Sequence, residues 1–313
     1  MSEAIALIDV DDPDPQAVRA AALAWLRGGL VEVVPRPWEW IRQYGPLEDV
    51  PGPSGGYFGK VGVTRAGDLT GWAASTPLAE GVEEWIKREL DPWPDVLRLE
   101  LERLDDNGQL YEFEDEGKGH VLRMSVRASD DPAQIQLECG VSLETCEAVM
   151  PAGDLSVLRR MIELLVRMCE AADVSFAYIG DDYGGNLGET ALDDALWRTK
   201  KRSVAEARQY LRGYSWVTVV PKELVSELGG KETLAASGVF HALREFRSGA
   251  VLVQATEEFA DYGPRQIRTV FEALRKVLPP GQPRPDDVDD EPAPRLVWED
   301  ASARPEERRP DSS

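Results

Sequence analysis

A glycine-rich loop between two pairs of acidic residues is the segment of this chain whose residue types could do chemistry. It lies in the stretch FAYIGDDYGGNLGETALDDALW at 176–197. Carboxylates are the ligands that Mg²⁺ and Ca²⁺ prefer, so Asp181, Asp182 and Asp193 could hold a divalent cation for an enzyme. The pattern is also typical of a strand-to-helix connection, in which glycines relieve backbone strain and Thr190 caps the next helix. We favour this structural interpretation, and the metal-dependent enzyme is the alternative.

Known nucleotide and calcium loops do not fit this segment. A P-loop needs a lysine after its glycines and a dinucleotide fingerprint needs G-x-G-x-x-G, and the segment has neither. In an EF-hand counted from Asp181, Tyr183 and Leu192 stand where ligands are required. The chain has two histidines, His120 and His241, and no G-x-S-x-G motif that would pair with either of them. We therefore predict no cofactor and no catalytic residue.

A second group of residues is aromatic and indicates binding rather than catalysis. Tryptophan and tyrosine are frequent in the Pro- and Gly-rich segment 35–60, which we predict to be an irregular loop or a linker. Exposed aromatics often mark partner surfaces because they carry much of the energy of protein interfaces. The alternative is that they pack the loop onto its own domain. The predicted partner-binding residues, which include part of the acidic loop, are Trp38, Trp40, Tyr44, Tyr57, Asp181, Asp182 and Tyr183.

The formal net charge of −22 limits the classes of partner. Such a charge repels phosphate backbones and anionic lipid headgroups, so we predict neither a nucleic acid nor a membrane partner. The best candidate for a local basic patch is RTKKR at 198–202, followed by Arg208 and Arg212. We interpret it as the C-terminal turn of a helix, where cations suit the helix dipole. An acidic surface would instead steer a basic protein partner.

The termini and the cysteines indicate a compartment. The N-terminus, MSEAIALIDVDDPDP, has no basic region followed by a long apolar segment, so we expect no secretory signal. The three cysteines, Cys139, Cys146 and Cys169, follow no disulfide or zinc-ligand pattern. We expect a cytoplasmic protein, and the sequence does not determine its oligomeric state.

The hydrophobic periodicity changes along the chain and predicts an α+β fold of antiparallel strands backed by long helices. Residues 15–30 and 77–90 have helical periodicity. Strands with apolar–polar alternation follow at 96–105, 110–115, 120–128 and 134–142. A helix at 154–173 and a further strand at 174–180 come next. A second series in the order β-α-β-β-α occupies 212–281, which suggests two similar βα units packed together.

We predict three regions from these patterns. Residues 1–95 hold the first helix and the aromatic segment, and 96–281 form the core in two units, 96–197 and 198–281. Residues 282–313 are rich in Pro, Asp, Glu and Arg and are predicted to be a disordered acidic tail. Within this tail, RLVW at 295–298 is a short apolar island that could be a docking motif, a strand added to a sheet edge or a chance cluster.

The second series of elements also resembles a known family. Residues 212–281 resemble the C-terminal part of bacterial immunity-type proteins of the DUF3396 group, the type VI immunity family. The resemblance is carried by Trp216, by Leu228, Gly229 and Gly230 at a helix end, and by the hairpin at 240–258. It implies a non-enzymatic protein that binds and blocks a toxin. We therefore expect an acidic interaction protein, with the metal-dependent enzyme as the alternative.

Overall fold

The computed structural model describes residues 3–12, 14–45, 52–65, 72–110, 119–129, 131, 134–149, 156–181, 188–285 and 295–303. The chain divides into two compact units, Met1–Val174 and Ser175–Ser313. Each unit contains antiparallel strands together with helices, which confirms the predicted α+β class. The boundary at 174/175 lies within the segment 96–197 that we expected to be one unit.

Six strands of the first unit hydrogen-bond to one another in the order β3-β2-β4-β5-β6-β1. Every pairing among them is antiparallel. Their bounds are β1 (Glu3–Asp11), β2 (Tyr57–Thr64), β3 (Ala74–Pro77), β4 (Val96–Arg103), β5 (His120–Ala128) and β6 (Gln134–Ser142).

Burial alternates along β4 as its apolar–polar sequence predicts. Leu97, Leu99 and Leu101 are fully buried, and the residues between them are half-buried. The turn after β4 is closed by the Asp105 carboxylate, which accepts the backbone N–H of Asn107 at 2.8 Å. Of the strand predicted at 110–115, residues 111–115 lie outside the described residues.

The helices of the first unit are α1 (Pro15–Gly28), α2 (Pro35–Tyr44), α3 (Val82–Glu89), α4 (Leu143–Val149) and α5 (Val157–Ala171), with a π-helical turn at Gly29–Val33. Helices α1 and α5 pack closely at Gly28, where an added Cβ would lie 2.4 Å from the Leu164 Cδ1. Trp25 of α1 is fully buried and donates its indole N–H to the Glu138 carbonyl of β6 at 3.1 Å.

Two elements of this unit differ from the sequence-based expectation. Residues 35–44 are helical rather than irregular, because Pro35 and Pro37 fall in the first turn, where a backbone N–H has no acceptor within the helix. Strand β1 was not predicted. Its interior residues are all buried, so it lacks the alternation by which a half-buried strand is identified.

The second unit has four strands in the order β7-β8-β10-β9 and confirms the predicted β-α-β-β-α series. Among the described residues of either unit, no helix is both long and apolar enough to span a bilayer. The elements of the second unit are β7 (Val174–Gly180), α6 (Ala191–Ala195), α7 (Lys200–Ala205), β8 (Val217–Val220), α8 (Lys222–Glu227), α9 (Lys231–Ala236), β9 (Ala242–Glu245), β10 (Val251–Gln254) and α10 (Pro264–Leu274).

The segment 295–303 is held against the second unit, so the prediction of disorder is wrong for these residues. Val297 is buried and donates its backbone N–H to the Tyr214 hydroxyl at 2.8 Å. Arg275 donates to the carbonyls of Ala301 and Ala303. The RLVW island therefore docks on its own chain, through burial and through hydrogen bonds between side chains and backbone rather than through strand pairing.

Candidate functional site

Three of the predicted partner-binding aromatics form one cluster in the first unit. Trp40 and Tyr44 lie one helical turn apart on α2, with ring centroids 5.0 Å apart. Tyr57, the first residue of β2, meets Trp40 edge-on at 5.7 Å. Tyr44 is 61% exposed, and Trp40 and Tyr57 are half-exposed. We call these three residues the aromatic cluster.

The cluster packs against the backbone before β2, and within the described residues the polar ends of Trp40 and Tyr44 have no acceptor. An added Cβ at Gly56 would lie 2.8 Å from Cζ2 of Trp40, so the indole packs directly on the chain before β2. The buried indole of Trp25 is bonded to the Glu138 carbonyl, whereas no described residue accepts a hydrogen bond from the Trp40 indole or the Tyr44 hydroxyl. Aromatic side chains with a packed body and a free polar end are common in interfaces.

Charged side chains lie near the aromatic cluster. Burial raises the pKa of Tyr57, and the neighbouring Arg103 and Arg36 oppose that rise. Arg42, on α2, is exposed. Trp38, also predicted to contact a partner, is half-buried on α2. Exposed charges of both signs, Glu39 and Arg42 of α2, thus lie beside the cluster.

Asp193 of the acidic loop lies inside the second unit rather than on its surface. It forms a capping box with Thr190, whose hydroxyl accepts the Asp193 N–H at 3.0 Å, while the carboxylate accepts the Thr190 N–H at 3.3 Å. Arg212 donates to the same carboxylate at 2.7 Å, and Ser203 donates its hydroxyl to it. Thr190 thus caps α6 as predicted, and Asp193 stabilises the loop from within.

The surroundings of Asp193 explain why a charged group is tolerated there. The side chains of Asp193 and Arg212 are both fully buried. Burial raises the pKa of Asp193, and Arg212 and the Ser203 hydrogen bond oppose the rise. Arg212 also donates to the Gly188 carbonyl at 3.0 Å and lies over the ring of Phe176. A buried ion pair that is satisfied in this way positions chain segments.

Asp181 lies at the start of the acidic loop, before its glycines, and pairs with Arg295. The Arg295 Nη2 lies 2.8 Å from the Asp181 Oδ2. The same guanidinium donates to the Tyr262 carbonyl and lies 5.0 Å from the centroid of the Phe259 ring. Asp182 and Tyr183 lie outside the described residues. Asp181 therefore joins β7 to the segment 295–303.

These pairings bear on the alternative of a metal-dependent enzyme. Within the described part of the chain, no group of three His, Cys, Asp or Glu side chains could hold a metal ion. Asp181 and Asp193 each already have an arginine as counter-ion. The described residues thus give the metal interpretation no support, while its third proposed ligand, Asp182, lies outside them.

We expected the basic run at 198–202 to form the C-terminal turn of a helix, and this prediction is wrong. Lys200, Lys201 and Arg202 instead begin α7. Three of the nearby arginines serve structural pairs instead. Arg198 is buried beside Asp193 and donates to Glu206, Arg212 pairs with Asp193, and Arg208 pairs with Glu223. Arg202 is exposed and pairs with Glu206 at 3.0 Å.

One exposed residue, Trp197, was not among the predicted contact residues. It follows α6, is 69% exposed and has a left-handed backbone with φ of 55°. The usual sequence signal for this position is a glycine after the helix. A tryptophan there gives no such signal, and the sequence pattern placed it inside the helix that Thr190 begins.

His120 and the three cysteines lie in strands and helices, and the cysteines are buried. Burial lowers the pKa of His120 to about 4, and Arg123 adds to this shift. Burial also raises the pKa of the Cys139 thiol well above its usual range. A neutral imidazole and a protonated thiol suit the interior of a sheet.

Comparison with solved structures gives distant structural similarity. No family model matches the chain, and no curated protein matches it. Among solved structures, the chain is similar to the Pseudomonas aeruginosa T6SS protein PA0821, at 12% identity and a TM-score of 0.49, over 96% of this chain and 81% of that one.

Proposed function

We propose that this protein binds another protein through the aromatic cluster of Trp40, Tyr44 and Tyr57. The observation that carries the proposal is the arrangement of these rings. They are packed against one another on a helix and a strand, and Tyr44 is nevertheless 61% exposed. Fixed aromatic side chains lose little conformational entropy on binding, so their burial by a partner translates efficiently into affinity.

The charges indicate how such a partner would approach and what it would present. The net charge of −22 attracts a protein that is basic overall. At the cluster itself, the exposed Glu39 and Arg42 of α2 can pair with charges of either sign on the partner. The expected partner is therefore basic as a whole and presents apolar groups at the contact.

The kind of partner is suggested by the resemblance of residues 212–281 to immunity-type proteins. We infer that the partner is a toxin and that binding neutralises it. This inference rests on the sequence resemblance at Trp216, Leu228, Gly229 and Gly230. It requires no catalytic residue in this chain.

The proposal is tested by affinity purification from the source organism with tagged full-length protein, followed by mass spectrometry. The wild type should retain one stoichiometric protein, and Trp40→Ala and Tyr44→Ala should lose it. With the purified partner, each substitution should weaken the Kd about tenfold or more by calorimetry. Cells that express the partner should be protected from its toxicity by co-expression of the wild-type protein. A variant that carries both Trp40→Ala and Tyr44→Ala should give no protection.

Val31→Ala is the matched control, since Val31 is the other strongly exposed apolar side chain described in the first unit, at 43%. It should leave the Kd unchanged. If Trp40→Ala and Tyr44→Ala bind the partner as tightly as the wild type, the aromatic cluster is not the interface. A bound partner without toxicity would refute the immunity role and retain the binding role.

A further inference from the structure

The docked segment 295–303 is held on the second unit through side chains, as a bound peptide is. Among the described residues, no hydrogen bond between backbone groups joins it to the rest of the chain. The Val297 N–H donates to the Tyr214 hydroxyl at 2.8 Å, and the Gln282 amide donates to the Trp298 carbonyl at 2.8 Å. We call the surface that receives it the segment site, which is formed by Asp181, Tyr214, Phe259, Tyr262, Arg268 and Arg275.

The first position of the docked segment fits arginine. The Arg295 Nη2 lies 2.8 Å from the Asp181 carboxylate, and its Nη1 donates to the Tyr262 carbonyl at 2.8 Å. The guanidinium also lies 5.0 Å from the centroid of the Phe259 ring. A carboxylate, a carbonyl and a ring face all favour a cation, and the planar guanidinium can contact the three at once, whereas an ammonium group cannot. The segment site therefore distinguishes arginine from lysine at this position.

Two further positions of the docked segment are also read by the segment site. Two residues after the arginine, Val297 is buried, and its backbone N–H is bound by Tyr214. Four residues after the arginine, the Glu299 carboxylate lies 2.7 Å from the Arg268 guanidinium. The contacts thus define the pattern Arg-x-Val-x-Glu, in which opposite charges at the two ends fix the direction of the segment.

The docked segment fills its site incompletely. Within 295–303, only Val297 is buried. A cavity of about 630 Å³ remains between the segment and the start of α10, and its lining includes Pro264, Ile267, Leu296 and Trp298. A stretch with one buried side chain and no backbone pairing opens at a lower cost than a strand or a packed helix. The cavity also leaves room for larger apolar side chains than those that the docked segment provides.

We propose that the segment site is a recognition site for a linear segment of another protein. The partner segment has the pattern Arg-x-Val-x-Glu and a larger apolar side chain where this chain has Leu296. The charges of Asp181 and Arg268 bind its two ends, and the larger side chain enters the cavity. The chain's own docked segment occupies the site while the partner is absent.

This arrangement makes the docked segment a competitor that raises the threshold for binding. A partner segment binds only the fraction of molecules in which the site is open, so its apparent affinity is reduced by that fraction. Segments that match the pattern weakly are excluded in this way. The segment site belongs to the second unit and the aromatic cluster to the first, so this proposal does not depend on the binding role of the cluster.

The proposal is tested with the folded full-length chain in which residues 286–292 are replaced by the recognition sequence of a specific protease. After cleavage, a fluorescent peptide of residues 295–303 should bind, as measured by anisotropy. The uncut chain should bind it at least about tenfold more weakly, because the tethered segment competes. A peptide with Arg295→Ala and Val297→Ala is the control and should not bind. Failure of the wild-type peptide to bind the cut chain, or equal binding of the control peptide, overturns the proposal.

Two variants make the test independent of cleavage and locate the contact. Uncut protein that carries Arg295→Ala and Val297→Ala should also bind the wild-type peptide. In the cut chain, Asp181→Ala should weaken the wild-type peptide about tenfold and leave an Arg295→Ala peptide unaffected. Glu232→Ala, an exposed acidic change on α9, should alter neither. Equal effects of Asp181→Ala on both peptides would contradict the assigned contact.

The cavity is tested with a peptide that carries Leu296→Phe. It should bind the cut chain more tightly than the wild-type peptide, and in excess it should displace the tethered segment of the uncut wild type. Displacement is followed through the fluorescence of Trp298, which is half-exposed in the docked segment. A Leu296→Phe peptide that binds more weakly than the wild-type peptide would overturn the assignment of the cavity to the partner.

Discussion

Arg212 donates to Asp193 at 2.7 Å in an ion pair whose side chains are both fully excluded from solvent. The two residues are 19 positions apart and belong to opposite ends of the segment that leads from α6 to β8. Ser203, halfway between them in sequence, donates its hydroxyl to the same carboxylate and accepts the Nε–H of Arg212 at 3.2 Å. The three side chains together fix the fold of this segment.

Removal of one partner of this pair should be costly, because the other charge is then left buried. We expect Asp193→Ala to lower the free energy of unfolding by about 3–5 kcal/mol. Arg202→Ala removes an exposed pair with Glu206 and should cost about 0–1 kcal/mol. Urea denaturation followed by circular dichroism measures both. A cost for Asp193→Ala as small as that for Arg202→Ala would contradict the assigned role.

The strain at Trp197 predicts an unusual order of stabilities. Both Trp197→Gly and Trp197→Ala remove the indole, but only glycine accepts the left-handed backbone without strain. The glycine variant should therefore be more stable than the alanine variant by about 1 kcal/mol, the reverse of their order inside a helix. Thermal unfolding of the two variants side by side gives the difference. Equal melting temperatures would show that the position is not strained.

The docked segment 295–303 should contribute measurably to the stability of the second unit. Val297→Ala removes buried apolar surface and should cost about 1–3 kcal/mol. Ala303→Ser, an exposed change at the end of the same segment, is the control and should be neutral. Unfolding in urea measures both costs, and limited proteolysis should cut the Val297→Ala variant faster. Identical curves for the two variants would place the segment outside the folded unit.

Acid should destabilise the protein through His120. Its pKa is about 4 in the folded chain and 6.5 when exposed, so the unfolded chain binds more protons between these values. The free energy of unfolding therefore falls as the pH is lowered from 6.5 to 4, by about 3 kcal/mol in total. Burial raises the pKa of Glu3, whose contribution has the opposite sign on acidification.

His120→Gln removes this titrating group and keeps every carboxyl group, although Glu3 loses the imidazole that lies 3.9 Å from its carboxylate. Urea unfolding at several pH values should show a shallower loss of stability between pH 6.5 and 4 for the variant than for the wild type. Parallel pH profiles would mean that His120 is accessible to protons in the folded chain.

A divalent cation should not stabilise the acidic loop. Asp181 and Asp193 are already neutralised by Arg295 and Arg212, and an ion would have to displace them. We expect no change in Tm when Mg²⁺ or Ca²⁺ is added in excess. A rise in Tm that follows RT ln(1 + [L]/Kd) and disappears in Asp181→Ala would instead support the metal-dependent enzyme.

Local features of this chain could be predicted from sequence because their causes are local. Thr190 was expected to cap a helix, and it does so through residues within three positions of it. The buried leucines of β4 follow from strict alternation along one strand. The helix α2 was missed, although prolines in a first turn are compatible with a helix, since the aromatic and glycine-rich surroundings favoured a loop.

Features that depend on distant segments could not be predicted. Nothing near Asp193 in sequence identifies Arg212 as its partner, so the carboxylate was a plausible metal ligand until the fold joined the two. The docking of Val297 depends likewise on Tyr214, 83 residues before it. Of the candidate surface, the aromatic residues were recognisable by type, but their arrangement in a cluster requires α2 and β2 to be adjacent.

The pairing of β1 with β6 sets the order in which the first unit can form. Asp11 lies opposite Gln134, so β1 is synthesised more than one hundred residues before its neighbour β6. Until β6 is synthesised, the apolar residues of β1 have no partner strand and are exposed to other chains. Contacts over such separations fold slowly. Strand β1 is therefore where we expect this protein to depend most on chaperones during synthesis.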